Sequence, residues 1–321
     1  MDGWWDSAAL DETMTRILRS RIQHQLPRNL KTLKLALQAK WTNRQNKSRV
    51  WMAGDQHYNL GNDLFAATFD SRLAGSCAYW RDATDLDTAQ EAKLDLICRK
   101  IGLKEGQAVF DIGCGWGAFM GFAAEKYGAR CTGITISQEQ VSYIKKRYGH
   151  LPVKAHLMDY RDATGTYGRV VSMGMFEHVG PKNYRDYFTV ADRLLSDGGL
   201  FLLHTIGSPR SADAIDPWMD KYIFINGVLP SVAQIGEAVE GLFVVEDWHN
   251  FGADYDKTLT AWFDKFDSNY EALKDRYDER FYRMWKFYLL ACAGGFRARN
   301  IHLWQIVFAK QGVPGGYTTV R

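Results

Sequence analysis

From about residue 90 onward the hydrophobic positions follow two rhythms in alternation. Short apolar runs at 108–112, 130–135, 153–157, 170–174 and 200–206 are separated by stretches with helical spacing at 118–127, 138–147 and 182–195. Strands and helices in strict alternation predict a parallel sheet with helices on both faces. A late strand at 242–247, a long helical stretch over 256–291 and a last strand at 302–309 complete the pattern. The predicted fold is α/β: an open, doubly wound, Rossmann-like sheet with helical insertions. Ahead of it, residues 13–50 read as helices broken near Pro27, and 55–80 as a Gly- and Asp-punctuated connection too aromatic for a flexible linker. This predicts a small N-terminal helical region, 1–54, and a catalytic domain, 55–321.

Composition narrows the setting. Hydrophobic residues make up 46% and charged residues 24% of 321, which suits one large core and a modest appendage. The five cysteines (Cys77, Cys98, Cys114, Cys131, Cys292) form no CxxC pair, which argues against a disulfide framework or a structural zinc site and for a reducing compartment. No apolar run reaches the length of a membrane span, and the N-terminus lacks a signal-peptide pattern. The expectation is a cytoplasmic protein with no metal.

Charge is distributed unevenly. Residues 13–54 hold ten Lys and Arg (Arg16, Arg19, Arg21, Arg28, Lys31, Lys34, Lys40, Arg44, Lys47, Arg49) and no acid, so with +3 overall the rest of the chain carries −7. Such a block suits a polyanion. Leu30, Leu33, Leu37 and Trp41 recur within it at helical spacing, and Trp4 and Trp5 lie upstream. A basic, Trp-bearing amphipathic stripe fits an anionic membrane surface, where each cation contributes about 1 kcal/mol. A helix docked on the main domain with a solvated basic back fits the same pattern.

The sharpest local signal is Val109-Phe110-Asp111-Ile112-Gly113-Cys114-Gly115-Trp116-Gly117, an apolar strand that ends in an acid and three alternating glycines before a helix. The glycines allow a tight turn and close approach to a ligand, and the helix start offers free N–H groups. The third glycine follows the second by two residues, not three as in the dinucleotide fingerprint. With Asp111, the loop resembles motif I of class I S-adenosylmethionine-dependent methyltransferases. At the next strand end stand Thr135-Ile136-Ser137, with Gln140 in the following helix. Many nucleotide-binding sheets place an acid there for the ribose hydroxyls; here Gln140, whose amide both donates and accepts, is the candidate. Asp159-Tyr160 follow the third strand, a carboxylate and an aromatic where an adenine would lie.

Further stretches extend the pattern: His57-Tyr58-Asn59-Leu60-Gly61-Asn62-Asp63, Ser76-Cys77-Ala78-Tyr79-Trp80, Gly174-Met175-Phe176-Glu177-His178-Val179-Gly180, Leu203-His204-Thr205-Ile206-Gly207, Asp216-Pro217-Trp218, Phe251-Gly252-Ala253-Asp254-Tyr255 and Cys292-Ala293-Gly294-Gly295-Phe296-Arg297. In this order, from about residue 4 to 310, the chain resembles the cyclopropane fatty acid synthase and mycolic acid cyclopropane synthase family. The resemblance implies methylene transfer from S-adenosylmethionine across a cis double bond of a phospholipid acyl chain. It implies a bound bicarbonate as the base that removes a proton from the transferred methyl group. The family's bicarbonate ligands map onto Cys77, Glu177, His204, Tyr255 and the backbone of Ile206, and its cofactor segment onto Gly75 and Ser76 beside the glycine loop. Cys292 matches a cysteine long treated as an active-site residue; the chemistry needs no covalent adduct, so lining an acyl channel suits it better. Trp218, Tyr222, Phe224 and Trp262 are candidates for that channel or for the core.

Read alone, Glu177 is a helix cap, His204 a satisfied core residue and Cys77 a small buried hydrophobe. Two departures from the family stand out. Gly75 occupies a position where the family often has Tyr, which asks for another aromatic, Tyr79 or Tyr58, to cover the cofactor. The chain also starts partway through the longer N-terminal helical domain usual in bacterial phospholipid-acting members. The resemblance further implies peripheral attachment to the inner face of the membrane, with unsaturated phospholipid as partner. Family members are often dimers, which leaves a homodimer open. Two rivals remain. A methyltransferase of the same fold would give branched or hydroxylated acyl chains. An RNA or DNA methyltransferase would use the basic arm, but Met173-Gly174-Met175-Phe176-Glu177-His178 replaces the Asn/Asp-Pro-Pro-aromatic motif of base-directed enzymes, arguing against nucleic acid.

Overall fold

The computed structural model describes residues 1–20, 22, 43, 45 and 61–321. Eight cations of the basic block (Arg21, Arg28, Lys31, Lys34, Lys40, Arg44, Lys47, Arg49) therefore lie outside the described residues. So do Pro27, the stripe of Leu30, Leu33, Leu37 and Trp41, and the segment His57-Tyr58-Asn59-Leu60.

The chain enters through α1 (Leu10–Ser20), then α2 (Asn62–Thr68) and α3 (Leu86–Lys100). The alternating part follows: β1 (Ala108–Ile112), α4 (Ala118–Tyr127), β2 (Arg130–Thr135), α5 (Gln138–Tyr148), β3 (Val153–Leu157), β4 (Tyr167–Met173), α6 (Tyr184–Leu194) and β5 (Leu195–Gly207). Two short helices, α7 (Pro217–Tyr222) and α8 (Val232–Val239), lead to β6 (Val244–Asn250), α9 (Ala253–Asn269), α10 (Glu279–Arg297) and β7 (His302–Ala309). Strands β1, β2, β3 and β7 have the expected bounds. The long stretch at 256–291 is instead two helices, because a 3-10 turn at Tyr270–Ala272 stops α9 and Asp278 caps α10 by accepting from the Phe281 N–H. Helix α3 starts on the same device, with Asp85 accepting from Thr88, and α8 on a capping box of Ser231 and Gln234.

The seven strands lie in the order β3-β2-β1-β4-β5-β7-β6, all parallel except β7, which runs antiparallel to both neighbours. This is the doubly wound sheet of the class I methyltransferases. Its order reverses between β1 and β4, so ligands are expected at the C-terminal ends of these strands. Strand residues alternate between the two faces: Phe110, Val170, Phe201 and Ile306 pack on one side, and Val109, Val171, Leu202 and Val307 on the other.

A third apolar cluster roofs the strand ends, built from α2, α9 and α10 around Trp262, Trp285 and Phe296. α1 docks on α10: Thr15 donates to the Gly294 carbonyl at 3.3 Å, and Arg297 bridges Asp11 and Asp256 at 2.7 and 2.8 Å. A Cβ at Gly294 would meet the Asp11 carbonyl at 2.5 Å, so glycine there lets the two helices touch. No described helix is long and apolar enough to cross a membrane.

Candidate active site at the strand ends

The glycine loop turns at the end of β1. Gly113 has φ +90°, and a Cβ there would meet the Cβ of Met175 at 2.7 Å; Gly115 has φ +52° and faces open space. The N–H groups of Gly113 and Cys114 donate to the Ile134 carbonyl at 3.2 and 2.9 Å, which ties the loop to β2. Gly117 serves packing, because a Cβ there would strike Ile144 at 2.8 Å. Loop residues Gly113, Cys114 and Gly115 line a cavity of about 280 Å³ that runs from here past β2, β4 and β5 to the aromatic roof. Asp111 and Gly117 lie behind its wall.

Asp111 is fully buried, and neither of its carboxylate oxygens has a partner among the described residues. Burial pushes its pKa up to about 7 against the opposing charge of Lys93. Lys93 carries no signal in the sequence, where a lysine in a helix reads as solvated. Here it is fully buried on α3, lines the cavity and donates to Ser76 Oγ at 2.8 Å; burial pulls its pKa down to about 8. Gln90, one turn earlier, donates to the carbonyls of Ala74 and Ser76 at 3.1 and 2.8 Å. α3 thus holds the Ala74–Gly75–Ser76 strip against the cavity. A Cβ at Gly75 would meet the Phe69 ring at 3.2 Å, so Phe69 is the aromatic that fills this space. Tyr79 turns the other way, edge-on to Phe251 at 5.3 Å.

At the second strand end, Thr135 donates to Gln140 Oε1, and the buried Gln140 Nε2 has no described partner. Thr135, Ile136 and Gln140 all line the cavity. At the third, Asp159 accepts from the Arg161 guanidinium at 2.9 Å, and that guanidinium lies 4.6 Å over the Tyr160 ring. The Tyr160 hydroxyl is buried without a described partner, and burial pushes its pKa up to about 12.

At the far end the polar lining includes Glu177 and His204. Glu177 follows β4 in a 3-10 turn, and Glu177 Oε1 accepts the Ile206 N–H at 2.6 Å. The Ile206 amide therefore orients this carboxylate. Glu177 Oε2 has no described partner, and burial pushes the pKa up to about 7. His204 on β5 is brought beside this turn by the Gly174 N–H, which donates to the His204 carbonyl at 2.9 Å. Its Nε2 is buried without a described partner; burial, then the charges of Lys93 and Lys100, hold the imidazole well below its ordinary pKa. Tyr255 at the start of α9 packs on Phe296 at 4.6 Å and on Trp262 at 5.9 Å, and burial raises its pKa.

Two residues expected at the catalytic end do not reach the wall either. Cys77 is fully buried just behind it, donating to the Ala78 carbonyl at 3.2 Å, with its thiol pushed well up by burial. Cys292 on α10 is half-buried in the helical cluster, and burial pushes its thiol up to about 12. Among the channel candidates Trp262 and Phe224 line the cavity, with Trp285 and Tyr288 beside them. Trp218 and Tyr222 instead pack on each other at 5.4 Å, outside it.

Five buried polar groups with no partner among the described residues (Asp111, Gln140 Nε2, Tyr160, Glu177 Oε2, His204 Nε2) are costly unless a ligand meets them. Four of these residues border the cavity and Asp111 underlies its floor. The amide and aromatic stand at the ends of β2 and β3, and the acid and imidazole follow β4 and lie on β5, a polarity that suits S-adenosylmethionine.

The comparisons with known proteins agree. Residues 45–306 match the mycolic acid cyclopropane synthetase family. The chain is 51% identical over 322 residues to cyclopropane-fatty-acyl-phospholipid synthase of Escherichia coli K12, covering 100% of this chain and 84% of that one. It is 33% identical to cyclopropane mycolic acid synthase 1 of Mycobacterium tuberculosis H37Rv, covering 79% of this chain and 95% of that one. A crystal structure of mycolic acid cyclopropane synthase CmaA1 with SAH and CTAB superposes with a TM-score of 0.75 at 31% identity, covering 80% of this chain and 97% of that one. The chain belongs to the mycolic acid cyclopropane synthetase family and is an enzyme of the S-adenosylmethionine-dependent methyltransferase kind.

Proposed function

We propose that the enzyme converts cis double bonds in phospholipid acyl chains into cyclopropane rings, with bicarbonate held between Glu177, His204 and Tyr255 as the base. The observation that carries this reading is the pairing, in one largely apolar cavity, of Glu177 Oε2 and His204 Nε2 without partners among the described residues, beside Tyr255, Trp262 and Trp285. The family resemblance and the 51% identity to the Escherichia coli synthase supply the substrate class.

Gly113, Gly115, Ser76, Thr135, Gln140 and Tyr160 would hold S-adenosylmethionine, with Asp111 and Lys93 beneath them. When bound, S-adenosylmethionine supplies an electrophilic methyl group, and bicarbonate at the far end supplies an acceptor for the departing proton. The chain's residues perform the rest. His204 is neutral at physiological pH, so one ring nitrogen can donate to an oxyanion. Glu177 is poised near neutrality and either accepts a proton or donates one to the anion. Tyr255 offers its ring to a neighbouring cation, a contact worth about 0.5–2 kcal/mol, and the aromatic roof excludes the water that would quench it. Cys77, behind the wall, is a neutral thiol.

The substrate reaches this cavity from a bilayer. The N-terminal region, 1–54, docks on anionic lipid while 55–321 carries the chemistry; Trp4 is 93% and Trp5 57% exposed, as interfacial anchors would be. The test is mass spectrometry of cis-unsaturated phospholipid vesicles incubated with enzyme and S-adenosylmethionine. A gain of one CH₂ per acyl chain without added oxygen is expected. A methyl-branched or hydroxylated product, or no product despite cofactor binding, refutes the assignment.

A further inference from the structure

On the face of the sheet below the cavity, His204 of β5 stands opposite Gln305 of β7 in the antiparallel register. Gln305 is fully buried, and its Nε2 lies 3.3 Å from His204 Nδ1. Across the next strand pair, His249 of β6 also faces Gln305, and its own Nδ1 accepts from the Lys100 ammonium at 3.1 Å. Gln305 is therefore the polar residue between two histidines. An amide in an otherwise apolar strand, Leu303-Trp304-Gln305-Ile306-Val307, costs about 1–3 kcal/mol to bury unless it is hydrogen-bonded; here Nε2 meets His204, while Oε1 has no partner among the described residues. A neutral imidazole carries a single N–H, and the hydrogen bond at one nitrogen decides where that proton sits.

We propose that Gln305 is a positioning residue: its side-chain amide donates to His204 Nδ1 and so fixes the imidazole as the tautomer that presents Nε2–H to the cavity. The inference rests on His204 acting at this site, as proposed above. It goes further by naming the group that sets the ring's proton and its aim. With Nδ1 occupied as an acceptor, the proton must reside on Nε2, the buried atom of this cavity-lining residue that has no partner among the described residues. A donor at that point serves an oxygen anion. An imidazole with its proton on Nδ1 would present a lone pair instead and repel one. Lys93 and Lys100 add to burial in resisting the doubly protonated ring, so the tautomer, not the charge, is the variable that Gln305 controls.

The test uses the full chain with nitrogen-labelled histidine. The ring-nitrogen resonances of His204 are identified by their loss in His204→Asn. The unsubstituted enzyme is expected to show a protonated Nε2 and a hydrogen-bonded, unprotonated Nδ1. Gln305→Leu, of similar volume, should shift the His204 pattern toward a tautomer mixture. It should lower kcat by about 10–100-fold, the usual effect of removing a group that orients a functional histidine, and leave KM and Kd for S-adenosylmethionine unchanged. Gln305→Glu should draw the His204 proton to Nδ1 and lower kcat further. Unaltered cofactor affinity shows that each variant is folded. A protonated Nδ1 in the unsubstituted enzyme, or His204 resonances that do not respond to Gln305→Leu, overturns the proposal. If the tautomer changes as expected while turnover is indifferent to added bicarbonate, Gln305 keeps its role and the bicarbonate reading falls alone.

Discussion

Glu177→Gln separates stability from activity. Glu177 is 7% exposed and accepts a hydrogen bond from the Ile206 N–H, and its Oε2 has no partner among the described residues. Its pKa is carried from 4.5 to about 7, chiefly by burial. Because the folded-state pKa lies above the unfolded one, ionisation opposes folding. The cost is absent below about pH 4.5, grows through the window up to about pH 7, and is complete above it. At 1.36 kcal/mol per tenfold change in proton affinity, the full cost is about 3 kcal/mol. Glutamine keeps the acceptor for Ile206 and cannot ionise. It places an NH₂ where Oε2 was, and an unpartnered amide there costs about 1 kcal/mol.

The expected result is a net gain of about 2 kcal/mol in unfolding free energy near pH 8 and a loss of about 1 kcal/mol near pH 4.5. Urea denaturation of both proteins at the two pH values reads the difference directly. Turnover should fall by roughly 10²-fold or more, the range for loss of a proton-handling group. Equal stability differences at both pH values would falsify the claim that Glu177 is held as a buried, unpaired carboxyl, whatever the activity shows.

Three other substitutions probe separate parts of the site. Lys93→Met should destabilise by about 1–3 kcal/mol, because it removes the buried hydrogen bond to Ser76 Oγ and a positive charge that favours ionised Asp111; adding Asp111→Asn should recover part of that loss, and strict additivity in denaturation would refute the coupling. Gly113→Ala combines φ +90° with a 2.7 Å approach to Met175, so it should cost about 1–3 kcal/mol and abolish calorimetric binding of S-adenosylmethionine; wild-type affinity would remove this loop from the cofactor site. Cys292→Ala should leave kcat within about threefold, under ~1 kcal/mol of barrier, because a thiol pushed up to about 12 is not a thiolate at working pH; a tenfold or greater fall in a protein with intact cofactor affinity would restore it as a participant.

The pattern along the chain revealed the sheet well, and for a physical reason. β1, β2, β3 and β7 are short, apolar and bounded by polar or Gly residues, so their limits are written locally. β5 starts earlier than its apolar run because it continues through Gly198 at φ +69°, beside a register shift against β4, and Ser-Asp-Gly-Gly reads as a turn. α3 has no strong apolar stripe because its buried face includes Gln90, Lys93 and Lys100, whose partners arrive from distant segments. The same reason governs the site. Asp111, Thr135, Asp159 and Glu177 were legible because they stand at strand ends. Lys93, Phe69, Arg161 and Gln305 were not, since each matters through a neighbour that only the fold supplies. Cys77 and Cys292 were legible through family resemblance, which marks a position but not which way its side chain faces.

Taken together, the displaced pKa values have one consequence for chemistry. Burial raises Asp111 and Glu177 to about 7, lowers Lys93 to about 8 and keeps His204 neutral, so these four groups are driven toward their uncharged forms. A cavity built this way does not solvate ions; it presents dipoles, a few aimed N–H groups and aromatic faces. Under the proposed reaction that is the required condition. A cation formed at a former double bond survives only where water is excluded, and it is best stabilised by ring faces such as that of Tyr255 and not by a fixed carboxylate that could capture it. The base that ends the reaction must then be reached through hydrogen bonds whose donors already point the right way. This is why the orientation of His204 by Gln305, and of Glu177 by the Ile206 amide, carries as much weight as the identity of the residues themselves.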